Sequence, residues 1–224
     1  FPYVVALAGV LLVFGGYREL SLTLKGDART RSYFGVYTVR DYMTGNLRLL
    51  SHGTTFHGVQ LTAPGRETQP TSYYFPGSGV GQAMTRVEPL YGARARIGVV
   101  GLGAGTLACS AKPGQSWRFY EIDPTVVRIA RDASKFTFLS RCLPNAAVEV
   151  GDARLTLERE AKESLDLLAL DAFSSDSVPM HLMTREAFAS YGRVLDRRGL
   201  LMVHISNRFL DLDPVVAAAA RDGG

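Results

Sequence analysis

Three glycines and a glutamate are spaced as in sites that bind a nucleotide. The segment GLGAG contains Gly101, Gly103 and Gly105, and it lies between a continuous apolar run and a predicted helix. Glycines permit a tight turn and a close approach of the backbone to a ligand, and a helix N-terminus presents free N–H groups. Glu121 ends the next predicted strand, about 20 residues after the first glycine, where a carboxylate can accept both ribose hydroxyls.

A second acid decides between two classes of nucleotide. Dinucleotide enzymes prefer GxGxxG, whereas Thr106 occupies the sixth position here. Asp152, in the segment VGDA, follows the third predicted strand, where a carboxylate can accept a hydrogen bond from an adenine amino group. The combination favours a site of the S-adenosylmethionine type, in which a sulfonium cation lies near the glycine loop.

Two further carboxylates follow the fourth predicted strand, in DAFSSDSVP. Open α/β sheets place their chemistry at this end of the strands. Asp171 and Asp176 suit a cationic substrate, since one can take the proton of an amine while the other binds a distant ammonium group. An alkyl amine has a pKa of about 10 and must lose a proton before it attacks. Asp176 has a structural alternative, because an aspartate there could cap a helix or form an Asx-turn.

These residues lie on a pattern in which strands and helices alternate. Five apolar strands, between 97 and 207, each end in Gly, Asp, Ser or Asn, and helical stretches separate them. This pattern predicts an α/β fold with a Rossmann-like, doubly wound parallel sheet. Residues 31–60 alternate as in a small antiparallel β region. We expect a β-hairpin region and loop over 17–80 and a nucleoside-binding catalytic domain over 81–224.

Composition excludes several classes of protein. The 224 residues are 46% hydrophobic and carry a net charge of +4, which is typical of a folded chain and not of a disordered one. No long basic run is present, and we expect no nucleic acid partner. Two cysteines in a chain of this length predict a reducing compartment. His52 and His57 have no Cys or acid at ligand spacing, so we expect no metal.

The N-terminal segment has a different composition. Residues 1–16 contain no charged side chain, and a basic stretch that includes Arg18 and Lys25 follows them. We interpret residues 1–16 as the end of a transmembrane helix, with a buried N-terminal strand or helix as the alternative. This interpretation predicts a cytoplasmic domain attached to the bacterial inner membrane.

Six segments combine into a family resemblance: GLGAG, YEIDP, GDARL and LDAFSSDSVP in the α/β region, with HGTTFHGVQ and PTSYYFPGSGVG before it. In this combination the chain, from about residue 30 to its C-terminus, resembles the spermidine synthase (polyamine aminopropyltransferase) family. It is most similar to the bacterial branch that is fused to transmembrane helices. The resemblance implies a class I S-adenosylmethionine-methyltransferase-like fold.

The resemblance also implies an activity, which is transfer of an aminopropyl group from decarboxylated S-adenosylmethionine to a diamine such as putrescine. Glu121 would bind the ribose and Asp152 the adenine. Asp171 would accept the proton of the attacking amine. The substrate-binding residues implied in addition are Asp176, Tyr74 and Gln60. Family members usually pair through the β region, so a homodimer is expected.

The glycine loop and the C-terminus depart from the family pattern. The family loop reads GGGDGG, and Ala104 stands where its aspartate would help hold the aminopropyl amine. Because that acid would repel the carboxylate of S-adenosylmethionine, its absence leaves methyl transfer from S-adenosylmethionine itself open. A non-catalytic, nucleoside-sensing domain of a membrane protein is a third hypothesis. The family sheet also continues beyond a fifth strand with an antiparallel pair, so we expect either a truncated C-terminus or an edge covered by another subunit.

Overall fold

A computed structural model describes residues 2–24, 28–53, 55–172, 179–207 and 210–223. Its first element is helix α1, Pro2–Leu24, whose described apolar side chains are exposed. Within the described ranges, no helix has both the length and the apolar character needed to cross a membrane. The interpretation of residues 1–16 as the end of a transmembrane helix stays a prediction.

The predicted antiparallel β region is a sheet of four strands in chain order. Its strands are β1 (Arg29–Ser32), β2 (Gly35–Tyr42), β3 (Leu47–His52) and β4 (Thr55–Leu61). The register shifts between Leu50 and Ser51, so β3 and β4 pair irregularly at that point. Such a sheet commonly packs one face on the core and leaves the other to solvent, which accounts for the alternation of its apolar residues.

The predicted α/β region contains a five-stranded, wholly parallel sheet in the order β7-β6-β5-β8-β9. Its strands are β5 (Arg96–Val100), β6 (Ser116–Glu121), β7 (Ala147–Val150), β8 (Leu165–Leu170) and β9 (Leu195–Val203). The order reverses between β5 and β8, and this is the switch point at which open α/β sheets bind ligands. The predicted Rossmann-like fold is confirmed.

Six further helices accompany the parallel sheet in the described residues. They are α2 (Gly79–Tyr91), α3 (Pro124–Arg131), α4 (Phe138–Cys142), α5 (Ala153–Glu158), α6 (Arg185–Val194) and α7 (Asp213–Gly223). The helix predicted after the glycine loop is a single short 3-10 segment, Thr106–Ser110. Short side chains cap several helices in the expected way; Asp123, for example, accepts from the N–H of Thr125 before Pro124 starts α3.

Two apolar clusters lie on opposite faces of the parallel sheet. One contains Phe119, Phe136 and Leu167 and extends under the antiparallel sheet through Leu50. The other contains Leu168, Leu170 and Tyr191 and lies beneath α5, α6 and α7. Adjacent residues of β8 thus belong to different clusters, because successive side chains of a strand point to opposite faces.

The two cysteines form a disulfide, Cys109–Cys142. This bond does not agree with the reducing compartment that the small number of cysteines predicts. The bond joins the 3-10 segment after the glycine loop to the end of α4. Gly105 lies against α4 as well, since a Cβ there would be 2.9 Å from Cγ of Leu139. The disulfide therefore holds α4 against the segment that carries the glycine loop.

Candidate active site

The residues that follow the parallel strands lie side by side along one edge of the sheet. The backbone N–H groups of Gly101, Gly151, Asp171 and His204 each donate to a carbonyl of the adjoining strand, at 2.8–2.9 Å. These bonds extend the ladders of β5 to β9 beyond the last paired residues. Loop residues are thereby held in strand register, and their side chains meet at the switch point.

The glycine loop needs its glycines for both conformation and space. Gly101 and Gly103 have φ values of +95° and +53°, which side-chain-bearing residues rarely adopt. A Cβ on Gly101 would collide with the backbone oxygen of Asp171, and one on Gly103 with the oxygen of His57. The loop therefore fits tightly between the end of β8 and the hairpin that β3 and β4 form.

Glu121 ends β6, the position that the sequence predicts, and its carboxylate is hydrogen-bonded to the glycine loop. The residue is 8% exposed, and its carboxylate accepts hydrogen bonds from the N–H of Leu102 at 2.9 Å and of Asp123 at 3.0 Å. Burial raises the pKa of Glu121, while these backbone donors favour the charged form. The carboxylate lines a cavity beside the loop and so can meet a polar ligand there.

We call this space the glycine-loop cavity. It has a volume of about 300 Å³ and lies between the parallel sheet and the antiparallel sheet. Its lining includes Gly101, Gly103, His57, Glu121 and Asp171. The cavity is therefore bounded by the glycine loop on one side and by side chains of the hairpin on the other.

Asp152 lies at the rim of this cavity, between the lining residues Gly151 and Ala153. Its Oδ1 caps α5 by accepting from the N–H of Arg154 at 2.9 Å. Its Oδ2 is 3.5 Å from Nε2 of His181, which lines the cavity. Oδ1 of Asp152 thus caps α5, and Oδ2 faces His181 in the lining of the glycine-loop cavity.

Two histidines of the hairpin face the glycine-loop cavity. The rings of His52 and His57 are 5.8 Å apart, and both residues line the cavity. Burial lowers the pKa of His57 to about 4, so its imidazole is neutral at pH 7. Among the described residues, no three His, Cys, Asp or Glu side chains are grouped as a metal site.

Tyr74 and His204 each contact one oxygen of the Asp171 carboxylate. Its Oδ2 accepts the hydrogen bond of the Tyr74 hydroxyl, and the Tyr73 and Tyr74 oxygens are 3.2 Å apart. Its Oδ1 is 2.6 Å from Nδ1 of His204. Burial raises the pKa of both tyrosines, and the nearby charge of Asp171 raises each further. Both phenols are therefore neutral donors.

A second cavity, which we call the His204 cavity, lies beyond these residues. Its volume is about 490 Å³, and most of its lining is apolar, including Val80, Leu107 and Met202. Asp171 and the two tyrosines line both cavities. The carboxylate thus stands where two ligands, one in each cavity, would meet.

Two residues singled out in the sequence, Gln60 and Ala104, line neither cavity. Gln60 is buried away from both linings, and its Nε2 donates to the Glu67 carbonyl and to Oγ1 of Thr137, each at 2.8 Å. The structure thus gives Gln60 a structural role instead of a substrate contact. Ala104 is also buried, packed against Gly58 of the hairpin. Asp176 lies outside the described residues.

His204 and Tyr73 belong to the group of side chains around Asp171, and the sequence analysis did not identify either as a site residue. A usable signal existed for His204, because it directly follows β9 as Asp171 directly follows β8. The pairing of Leu170 with Val203 places the two next residues opposite each other. Tyr73 had no such signal, since only the fold determines which of two adjacent tyrosines faces the cleft.

Comparison with known proteins agrees with the motifs. No family model matches the chain. A polyamine aminopropyltransferase of Vibrio vulnificus is 32% identical over 114 residues, which are 49% of this chain and 37% of the relative. The chain therefore aligns with little more than a third of that protein.

Solved structures share the fold. A probable spermidine synthase of Corynebacterium glutamicum has a TM-score of 0.65 at 20% identity, covering 78% of this chain and 62% of the other. A spermidine synthase in complex with the transition state analogue AdoDATO has a TM-score of 0.60 at 15% identity, covering 87% and 61%. The chain thus spans about three fifths of each. The comparisons give no support to the membrane-fused branch. The chain is thus similar in part of its sequence to a polyamine aminopropyltransferase, and it shares the fold of solved spermidine synthases.

Proposed function

We propose that this chain transfers an aminopropyl group from decarboxylated S-adenosylmethionine to a small amine such as putrescine. One observation carries this proposal: Asp171 lines both cavities at the end of β8, beside the glycine loop. A sulfonium donor in the glycine-loop cavity and an amine in the His204 cavity would then meet at one carboxylate. No metal is needed, because the leaving thioether is already neutral.

The donor would be held by residues at three strand ends. Glu121 would accept the ribose hydroxyls with the lone pairs that its two backbone donors leave unused. Asp152 would accept from the adenine amino group through Oδ2, since Oδ1 caps α5. Gly101, Gly103 and Gly105 would let the backbone approach the sulfonium arm closely. Such positioning of two reactants accounts for a large share of the rate in bimolecular transfers.

The acceptor amine would lie in the His204 cavity near Asp171. Its nitrogen lone pair attacks the carbon beside the sulfonium, the carbon–sulfur bond breaks, and methylthioadenosine leaves. The negative charge of Asp171 draws the proton from the attacking nitrogen, and the Tyr74 hydroxyl fixes the carboxylate. Asp176 would bind the distant ammonium group of a diamine, as the family resemblance implies.

Methyl transfer from S-adenosylmethionine is the second candidate, and Ala104 favours it. The side chain of Ala104 packs on Gly58, and its backbone N–H donates to the carbonyl of His57 at 3.2 Å. An aspartate would not fit there without a shift of the hairpin. The loop therefore has no acid at this position to repel the carboxylate of S-adenosylmethionine.

Assembly and location remain predictions. A homodimer that pairs through the antiparallel sheet is expected from the family resemblance, and sedimentation velocity measures it directly. Attachment of residues 1–16 to the bacterial inner membrane, with the catalytic domain on the cytoplasmic side, is likewise a prediction.

A donor and acceptor assay tests the proposed function. Purified protein is incubated with decarboxylated S-adenosylmethionine or S-adenosylmethionine, each with putrescine, spermidine or cadaverine. We expect methylthioadenosine and an aminopropylated amine from the first donor. Adenosylhomocysteine from the second donor would establish methyl transfer instead. Binding of either donor without any product would indicate a nucleoside-sensing domain and would end both enzymatic proposals.

A further inference from the structure

Strand β4 contains one extra residue, His57, opposite β3. Leu50 pairs with Gly58, and the next residue of β3, Ser51, pairs with Phe56, so the ladder passes over His57. This is the arrangement of a β-bulge. Bulges often lie beside active sites, where they redirect a side chain. The irregularity thus singles out His57 among the residues of the hairpin.

The bulge places His57 against the glycine loop. Its carbonyl accepts from the N–H of Ala104 at 3.2 Å, and a Cβ on Gly103 would be 4.0 Å from the Cβ of His57. The His57 side chain therefore leaves the strand directly beside the loop, and it lines the glycine-loop cavity. A donor arm that extends from the loop toward Asp171 would meet this imidazole.

The imidazole of His57 can donate a hydrogen bond. Burial and, to a smaller extent, the neighbouring His52 lower the pKa of His57 to about 4, whereas the charge of Asp171 opposes this change. The ring is therefore neutral at pH 7 and has one N–H to donate. Its Nε2 is buried, and within the described part of the chain no group bonds to it. Rotation about χ2 can therefore turn an N–H toward a ligand.

The lining of the glycine-loop cavity offers an acid as well as this donor. The acidic lining residues in the described ranges are Glu121 and Asp171, and neither Lys nor Arg lines the cavity there. In the proposed function Glu121 binds the ribose, so Asp171 is the acid that a donor arm would meet. An arm with both an ammonium group and a carboxylate thus finds a complement for each, since the N–H of His57 suits the carboxylate.

We propose that His57 donates a hydrogen bond to the carboxylate of S-adenosylmethionine, so that the glycine-loop cavity accepts a donor that keeps this group. His57 is then a specificity-determining residue for the donor arm. The proposal rests on the donor site of the proposed function, and it concerns which donor binds, not which group is transferred. Decarboxylated S-adenosylmethionine lacks the acceptor for this hydrogen bond, so the imidazole gives it no advantage.

Calorimetry with three nucleosides tests this role. Methylthioadenosine lacks the arm, decarboxylated S-adenosylmethionine has only its ammonium group, and S-adenosylmethionine has both the ammonium group and the carboxylate. We expect the wild type to bind S-adenosylmethionine at least as tightly as the decarboxylated donor.

Two variants of His57 should change this preference. His57→Phe keeps a ring but removes the donor, and it should weaken S-adenosylmethionine binding about 10- to 100-fold, as expected for a lost hydrogen bond to a charged group. His57→Asp adds a charge that repels the carboxylate, so it should weaken S-adenosylmethionine at least as much and strengthen the decarboxylated donor. Methylthioadenosine should bind both variants as tightly as it binds the wild type, which shows that they fold.

Phe56→Asp is the matched control. It adds the same charge one residue away, at a side chain that is 51% exposed and lines neither of the two cavities. All three nucleosides should bind it as they bind the wild type. A change of preference as large as that in His57→Asp would show that any charge on the hairpin is sufficient, and the assignment to His57 would be wrong.

The outcomes separate donor preference from the reaction. If His57→Phe binds S-adenosylmethionine as tightly as the wild type does, or if the wild type binds only the decarboxylated donor, the proposal is wrong. An equal loss for all three nucleosides would show that the imidazole does not recognise the arm. If the donors bind as expected but no amine yields a product, the proposed function is wrong and the role of His57 stands. If no nucleoside binds the wild type, both are wrong.

Discussion

The two cavities that meet at Asp171 are built in different ways. In the glycine-loop cavity, the wall that the glycine loop forms is backbone at a strand end, and the carboxylate of Glu121 is bound to N–H groups only a strand and a loop away. The His204 cavity depends on side chains brought together from distant segments. Tyr74 and Asp171 are 97 residues apart, and Asp171 and His204 are 33 apart. The pairing of Glu121 with the glycine loop is thus local in the sequence, whereas the cluster around Asp171 depends on the whole fold.

This difference implies that substitutions should separate binding from chemistry. Residues of the glycine-loop cavity should control donor affinity, whereas those around Asp171 should control turnover. Asp171→Asn and Glu121→Gln test that separation directly.

Asp171→Asn should have the largest effect. The amide keeps the shape of the carboxylate but loses the charge that would stabilise a proton on the acceptor side. We expect kcat to fall about 10³-fold or more. Calorimetry with methylthioadenosine should show an affinity within threefold of the wild type. Asp196→Asn, in the same sheet but at the opposite end of β9, is the control. A large loss of methylthioadenosine affinity in Asp171→Asn would show that the two sides are not separate.

Removing the disulfide should come next. It closes a segment with a sequence separation of 33 residues, and such a loop predicts a loss of about 3–4 kcal/mol in the free energy of unfolding. We expect a Cys109→Ser/Cys142→Ser variant to unfold at correspondingly lower denaturant, as measured by circular dichroism. The wild type under reductant should match it. Equal midpoints with and without the bond would contradict the prediction.

Glu121→Gln should weaken donor binding with a smaller effect. The substitution removes the charge and turns one acceptor oxygen into an NH₂ group beside a backbone donor. Hydrogen bonds to charged groups contribute about 1.5–3 kcal/mol, so we expect a loss of about 10- to 100-fold in methylthioadenosine affinity. At saturating donor, kcat should change little. Glu149→Gln, an exposed residue of the neighbouring strand, is the control. A fall in kcat that saturation does not restore would place Glu121 in the chemistry.

The same division explains what the sequence could predict. The parallel sheet, the glycine loop and the positions of Glu121 and Asp152 follow from local patterns, because a residue that ends a parallel strand must lie at one edge. The partners of Asp171 do not follow from spacing. A histidine after the fifth strand reads as isolated until β9 is known to lie beside β8, as their paired residues Leu170 and Val203 do.

Two expectations failed because their outcome depends on long-range packing. Gln60 has the polarity of a substrate ligand, yet its amide joins the hairpin to Thr137, 77 residues away. The cysteines are too few to suggest a pairing, and the approach of α4 to the glycine loop brings them together. Such contacts arise from tertiary structure that no single segment encodes.

The close fit between Gly101 and the backbone of Asp171 has a consequence for how this cleft can diverge. The glycine loop would bind the nucleoside, and Asp171 would govern deprotonation. The backbones of the two are in direct contact, with no room for a side chain between them. A relative that needs a wider gap for a bulkier donor would have to move β8 away from β5, and its reacting centre with it. Specificity for the donor and competence in proton removal are therefore expected to change together across lineages.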